Sequence, residues 1–280
     1  MDVVGEGAYW RVLRSNGGLA LVRVTSRGLT DAPILAVDLM AQTGDVDTQK
    51  VVADLSHILH VDAGRTDFVD FAKADDHLWK VVAPLVGLPE WRTISLYEAL
   101  MQTVIEQQIA WTTAQKAQRW LLEWAGESIS YNGTTYYTFP SPERLAAASF
   151  DDLKPLKITF KRMALMIDLA GQITRGQLDL DAVRQQTPDQ AYKNLLAIKG
   201  IGHWTAAVSL ERAFGHKEWI AYNDVVLQAA TNRYFLGGVG RIPPQQVIDT
   251  FSPYGKFAGV AAHYTMIRWV IDQYPVRSEK

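Results

Sequence analysis

A chain of 280 residues is long enough for a sizeable hydrophobic core and for more than one domain. Its apolar content of 48% and charged content of 21% are ordinary for a folded soluble protein, and no window reaches the roughly 18 uninterrupted apolar residues of a membrane span. There is no cysteine, which excludes disulfides, thiolate metal sites and a cysteine-held iron–sulfur cluster; the net charge of −2 carries no overall basic signature of nucleic-acid binding.

The start MDVVGEGAYW lacks the basic and apolar regions of a signal peptide, so an intracellular, cytoplasmic location is expected, with no membrane partner. Residues 8–41 then read as β: YWRVLRS, a turn at Asn16-Gly17-Gly18, LALVRVTS, a break carrying Gly, Thr, Asp and Pro, and ILAVDLMA. Asn-Gly between alternating apolar runs is a hairpin signal, and consecutive strands imply an antiparallel sheet. Residues 46–60 place Val51, Val52, Leu55, Ile58 and Leu59 at helical spacing, a helix expected to lie on that sheet.

Residues 75–86 form the next expected helix, with Leu78, Val81, Val82 and Leu85 on one face, stopped by Leu88-Pro89-Glu90-Trp91. Ser95 caps a long helix beginning LYEALMQTVIEQQIA, and residues 111–124 make another, closed by Gly126. SISYNGTTYYT (128–138) reads as a loop or small hairpin. Ser141-Pro142 opens a helix as cap and first-turn proline, and helices are expected over 151–158 and 161–175. Thr187-Pro188 restarts the chain in the same way.

Residues 195–224, LLAIKGIGHWTAAVSLERAFGHKEWIAYND, are the stretch around which the chain is organised. A helix end runs into Gly200-Ile201-Gly202, and His203-Trp204-Thr205 starts a second helix. Glycines suit a turn this tight and let a large group approach the main chain. The open amides of Gly202, His203 and Trp204 then sit at a helix N-terminus, which favours an anion such as phosphate. Asp224, before the helical run VVLQAATNRYF, is a good N-cap in its own right.

The pattern L-x-x-I-x-G-I-G-x-W-T-A followed by an Asp one helix later resembles the helix-hairpin-helix DNA glycosylases, and especially the 3-methyladenine DNA glycosylase II group. The resemblance spans residues 95–270 and includes YEALMQTVIEQQIA and FPSPERLAAASFDDLKPLKITFKRMALMIDLA. It implies a mainly α fold: an α+β antiparallel sheet domain at 1–88, then an all-helical glycosylase domain at 89–280 with the helix-hairpin-helix at about 188–214. It implies duplex DNA with a damaged base as partner, a monomer, and base flipping. The absence of cysteine sets the chain apart from the family's iron–sulfur branch.

The resemblance implies roles for individual residues. Asp224 is the catalytic carboxylate, an anion beside the sugar carbon where positive charge develops. Gly200, Gly202, His203 and Thr205 belong to the DNA-binding hairpin, and Gln107 and Gln108 to the wedge that fills the gap left by a flipped base, Gln108 being favoured. Trp204 and Tyr264 match pocket aromatics, which suit electron-poor alkylated purines through stacking and cation–π attraction. His263 stands where the bacterial prototype has a Trp, and Val208 where it has another aromatic. Backbone carbonyls of Leu196, Ile198 and Ile201 correspond to those that hold a sodium or potassium ion in relatives; no cofactor is required for the chemistry. Where bifunctional members carry a Schiff-base lysine this chain has Trp204, which implies a monofunctional, water-using glycosylase for alkylated purines. The rivals are an 8-oxoguanine-type glycosylase/lyase, favoured by the ending FAGVAAHYTMIRW and opposed by Trp204, and a non-catalytic DNA-binding module, opposed by Asp224 and the Gln pair.

Overall fold

The computed structural model describes residues 3–5, 7–28, 34–61, 66–88 and 90–274. Most of the break expected before the third strand, residues 29–33, and Pro89 of the expected helix stop lie outside the described residues. Strands β1 (Val3–Gly5), β2 (Ala8–Ser15), β3 (Gly18–Ser26) and β4 (Leu35–Thr43) lead into α1 (Thr48–Ile58), α2 (Thr66–Lys73), α3 (Asp76–Val82), α4 (Leu96–Glu106) and α5 (Trp111–Ala125). A hairpin of β5 (Ser128–Tyr131) and β6 (Thr134–Tyr137) precedes α6 (Pro142–Ala146), α7 (Phe150–Leu153), α8 (Phe160–Thr174) and α9 (Leu180–Val183). The remainder is α10 (Pro188–Leu196), α11 (His203–Phe214), α12 (Val225–Thr231), α13 (Pro244–Phe251) and α14 (Ala258–Gln273). This is the expected class, mainly helical with an N-terminal antiparallel sheet.

The chain folds as two compact units, Met1–Leu59 with Thr93–Val183, and His60–Arg92 with Arg184–Lys280. In the first unit the sheet runs β1-β2-β3-β4 in sequence order, every pair antiparallel. Asn16 and Gly17 turn the β2–β3 corner at φ 48° and 81°, the positive values of a hairpin turn whose twist matches its strands. Alternation along the strands serves two faces. Tyr9, Leu13, Val22 and Val24 meet Val51, Leu55 and Ile58 of α1, while Val12, Leu19 and Leu21 meet Ile129 and Tyr136 of the β5–β6 hairpin. A buried ion pair, Arg11 to Glu98 at 2.9 Å, ties β2 to α4.

In the second unit one core collects Phe68 and Ala72 of α2, Leu78 and Val82 of α3, and Leu85. To these it adds Leu227 of α12, Val247 and Phe251 of α13, and Ala258, Ala261, Ala262 and Tyr264 of α14. This division departs from the boundary expected after residue 88: residues 60–92 pack with the C-terminal helices, and the sheet shares a unit with α4–α9. An apolar stripe says that a helix is buried and does not name its partner.

Other departures are local. Strand β1 is not visible in the sequence because its three residues are exposed and show no alternation. Helices α2 and α9 add to the expected elements, and of the loop or small hairpin expected over 128–138 the chain forms the hairpin, with β5 paired to β6. The helix expected over 151–158 ends at Leu153: the chain tightens into a 3₁₀ turn, Lys154–Leu156, and Lys157 takes a left-handed φ of 56°. The expected caps are present, Ser95 on α4, Ser141 on α6 and Thr187 on α10, and Asp47 and Asp75 cap α1 and α3 in the same way.

Candidate active site

Helix α10 begins at Pro188 behind the Thr187 cap and ends at Leu196, and the Ile201 amide donates to the Ile198 carbonyl at 3.0 Å to close the hairpin. Gly200 has φ +97°, which a side chain resists, so this glycine is demanded by the turn. Gly202 is different. It is the N-cap of α11 at φ −96°, ψ −179°, an extended backbone that any residue adopts, and a Cβ built there meets nothing within 4 Å. Nothing within the chain demands a glycine there, so of the two reasons expected for the glycines of this turn the backbone angle applies to Gly200 and not to Gly202. As N-cap, Gly202 brings no capping side chain to the first turn of α11.

Asp224 caps α12. Its Oδ1 accepts from the amides of Val226 at 2.7 Å and Leu227 at 3.1 Å, and its Oδ2 accepts from the indole Nε1 of Trp204 at 2.8 Å. The two residues most important to the sequence reading are thus in direct contact. Trp204 is half-buried, and among the described residues no other ring stacks on it. A carboxylate offers four acceptor positions. Three are used here, and the remaining one is on Oδ2.

An aromatic ladder holds this arrangement. The His203 ring stacks on Tyr222 at 4.2 Å, and Tyr192 stacks on Trp219 at 4.3 Å. His203 Nε2 donates to the Ile220 carbonyl at 2.8 Å, and its Nδ1 meets the Tyr192 hydroxyl at 2.5 Å. Burial raises the Tyr192 pKa above its ordinary value, with Tyr222 adding to the shift. Together these contacts fasten α10, α11 and the loop before Asp224. Both ring nitrogens of His203 are engaged, and Thr205 is buried, so what these residues present at the N-terminus of α11 is main chain.

His263 and Tyr264 lie on α14. Tyr264 is buried with its ring 5.0 Å from that of Phe68, and His263 Nδ1 pairs with Glu211 Oε1 of α11 at 2.5 Å. Burial alone would raise the Glu211 carboxyl; the pairing and hydrogen bond with His263, aided by the nearby Lys217 and Arg212 charges, prevail and hold it down to about 2. Glu211, His263 and Tyr264 line a cavity of about 440 Å³ together with Trp91, Arg92, Lys217 and others, and neither Trp204 nor Asp224 is among its lining residues. Lys217 is itself paired with Glu90 at 2.7 Å.

Gln107 and Gln108 belong to the other unit. Gln107 caps the C-terminus of α4, and Gln108 is exposed at φ +54°, uncommon for a residue with a side chain. Of the carbonyl candidates in the hairpin, Leu196 is exposed and Ile201 buried.

No family model matches the chain. It is 29% identical over 217 residues to a DNA-3-methyladenine glycosylase of Bacillus subtilis (strain 168), covering 77% of this chain and 71% of that protein. Among solved structures it superposes on a 3-methyladenine DNA glycosylase from Archaeoglobus fulgidus with a TM-score of 0.80 at 21% identity, covering 99% of this chain and 91% of that one. The chain resembles the 3-methyladenine DNA glycosylases of the helix-hairpin-helix superfamily. The fold is shared more widely: a Clostridium acetobutylicum 8-oxoguanine glycosylase/lyase in complex with double-stranded DNA superposes with a TM-score of 0.73 at 16% identity, covering 98% of each chain.

Around this glycosylase fold, sequence reasoning passed over Tyr192, Trp219 and Tyr222, whose ladder positions His203, and over Glu211, the partner of His263. The one signal available for Glu211 is spacing. It lies seven residues after Trp204, two turns along the same helix face. Nothing comparable marks the aromatics, since the ladder forms between segments whose packing no local pattern encodes.

Proposed function

We propose that this chain is a monofunctional DNA glycosylase that excises alkylated purines of the 3-methyladenine type from duplex DNA in base excision repair. The observation that carries the reading is Asp224, fixed at Oδ1 by two backbone amides and at Oδ2 by Trp204, with one acceptor position on Oδ2 still open. As the N-glycosidic bond breaks, its electron pair leaves with the base and positive charge grows on the sugar carbon. A pre-positioned carboxylate stabilises that charge and accepts a proton from the incoming water. The relative from Bacillus subtilis supports the choice of substrate class.

The amides opening α11 suit a DNA phosphate, and the space at Gly202 leaves room for it. Gln108, exposed just past the end of α4, is the wedge beside Gln107, and Trp204, His263 and Tyr264 serve the flipped base. A sodium or potassium ion at the hairpin would take the carbonyls of Leu196, Ile198 and Ile201. That set fits a hard cation: Leu196 closes α10, where the last carbonyls lack helical partners, and Ile198 keeps a second lone pair beside its bond from Ile201. The protein acts as a monomer within the cell, and among the described residues no helix is long and apolar enough to cross a membrane.

The 8-oxoguanine glycosylase/lyase shares the fold, yet no Lys or Arg occurs from Gly200 to Leu210 to supply a Schiff-base amine. The test is release of free base from duplexes carrying 3-methyladenine, 7-methylguanine, hypoxanthine or 8-oxoguanine. Release of the alkylated bases with strand breaks only after alkali supports the reading; 8-oxoguanine release with breaks before alkali overturns it.

A further inference from the structure

Arg162 is 8% exposed, and among the described residues no carboxylate pairs with it. A buried guanidinium without a counter-charge is costly, and this one is in the first turn of α8, where its charge opposes that helix's own dipole. Burial lowers its pKa from the ordinary value, yet an arginine remains a cation. Its hydrogen bonds show where the compensation lies. Nη1 donates to the carbonyls of Ile105 at 3.3 Å and Gln107 at 2.5 Å, the last turn and cap of α4, and Nε donates to Thr159 Oγ1 at 3.4 Å. The positive charge therefore sits at the negative end of the α4 dipole and satisfies carbonyls that a helix end leaves open.

Immediately past those carbonyls the chain makes a four-residue corner, 107–110, into α5. Gln108 holds φ +54° there, a conformation that persists only where the surroundings impose it. Gln118 Nε2 anchors the neighbouring Glu106 at 2.8 Å. We propose that Arg162 is a positioning residue: clamping the end of α4 from within, it sets the Gln107–Gln108 corner in the shape that enters the DNA stack. The inference rests on the glycosylase reading of this chain and adds to it the residue that pre-organises the wedge. A fixed wedge spends no binding free energy on being ordered, whereas a loose corner must be ordered on the DNA.

A wedge is needed only when a base has to be taken out of a stack. In the full chain, Arg162→Met and Gln108→Ala should each lower excision of an alkylated purine from fully paired duplex at least tenfold and stay within threefold of wild type on a damaged base that is already unpaired. The double variant should lose little more than either single one, because both act through one corner. Equal losses on paired and unpaired DNA, or losses that multiply in the double variant, overturn the proposal. Circular dichroism melts establish folding; if Arg162→Met does not fold, Arg162→Lys keeps the charge without the fork and is judged by the same confinement of its loss to paired DNA. A second measurement is independent of catalysis: 2-aminopurine placed opposite an abasic-site analogue should brighten with wild type and much less with Arg162→Met. Brightening in a protein that excises no base leaves the wedge and its clamp standing while the glycosylase reading falls; equal brightening by the Arg162 variant removes the clamp.

Discussion

The indole N–H of Trp204 donates to Asp224 Oδ2 at 2.8 Å, so the first turn of α11 holds the carboxylate that caps α12. The contact gives Trp204 a task besides any stacking on a base, and it leaves Asp224 little freedom to rotate. Capping and chemistry are carried by different oxygens of one side chain.

Asp224→Asn should therefore preserve the fold, since Asn caps a helix as well as Asp, and should preserve DNA binding. Base release should drop by orders of magnitude, because the charge that stabilises the developing cation is worth about 3 kcal/mol or more. Single-turnover release measured beside gel-shift affinity checks this; near-normal release by the folded variant would take Asp224 out of the chemistry.

Trp204→Phe keeps a ring and removes the donor. Loss of one hydrogen bond to a charged group, about 1.5 kcal/mol, should lower release roughly tenfold. Borohydride should trap no protein–DNA adduct with the wild-type chain, which has Trp where a lyase has its amine. A trapped adduct would overturn the monofunctional reading. Trp204→Lys should reduce excision of alkylated purines by removing both the indole N–H and the ring.

The two hairpin glycines should respond differently to a side chain. Gly200→Ala forces an L residue to φ +97° and should lower the melting temperature, with a cost on the order of 1 kcal/mol. At Gly202 a Cβ meets nothing within 4 Å and the backbone is ordinary, so Gly202→Leu should change stability little. Its affinity should fall alike for damaged and undamaged duplexes, as a phosphate contact reads no sequence. A loss confined to damaged DNA would move Gly202 from the phosphate grip to the pocket.

Glu211 makes stability depend on pH. Its carboxyl is held at about 2 in the folded protein against an ordinary 4.5, so the ionised form stabilises the fold above 4.5; that contribution declines as pH falls from 4.5 towards 2 and is gone below both values. Melting temperatures of wild type and Glu211→Gln should differ most above pH 5 and converge towards pH 2. A gap that persists unchanged at pH 2 would show that the ionised carboxylate is not its source.

Much of this protein is legible in its residues one after another. Asn16-Gly17, the Ser and Thr caps and the Gly200-Ile201-Gly202 turn are local, because a turn or a cap is settled within four or five residues by backbone angles and unpaired amides. Asp224 is legible alone only as a helix cap, and it is the resemblance of the hairpin and its surroundings to the helix-hairpin-helix glycosylases that marks it as the candidate site. Tertiary structure decided the rest. Helices α2 and α3 carry apolar faces that would fit any core, and only the folded chain sends Phe68 and Leu78 to Tyr264 and Phe251 instead of to the sheet. The pairing of Glu211 with His263, the Arg162 clamp on Gln107 and the hydrogen bond from Trp204 to Asp224 each span 20 residues or more. At that separation the partner is set by how whole helices pack, which no local pattern of side chains encodes.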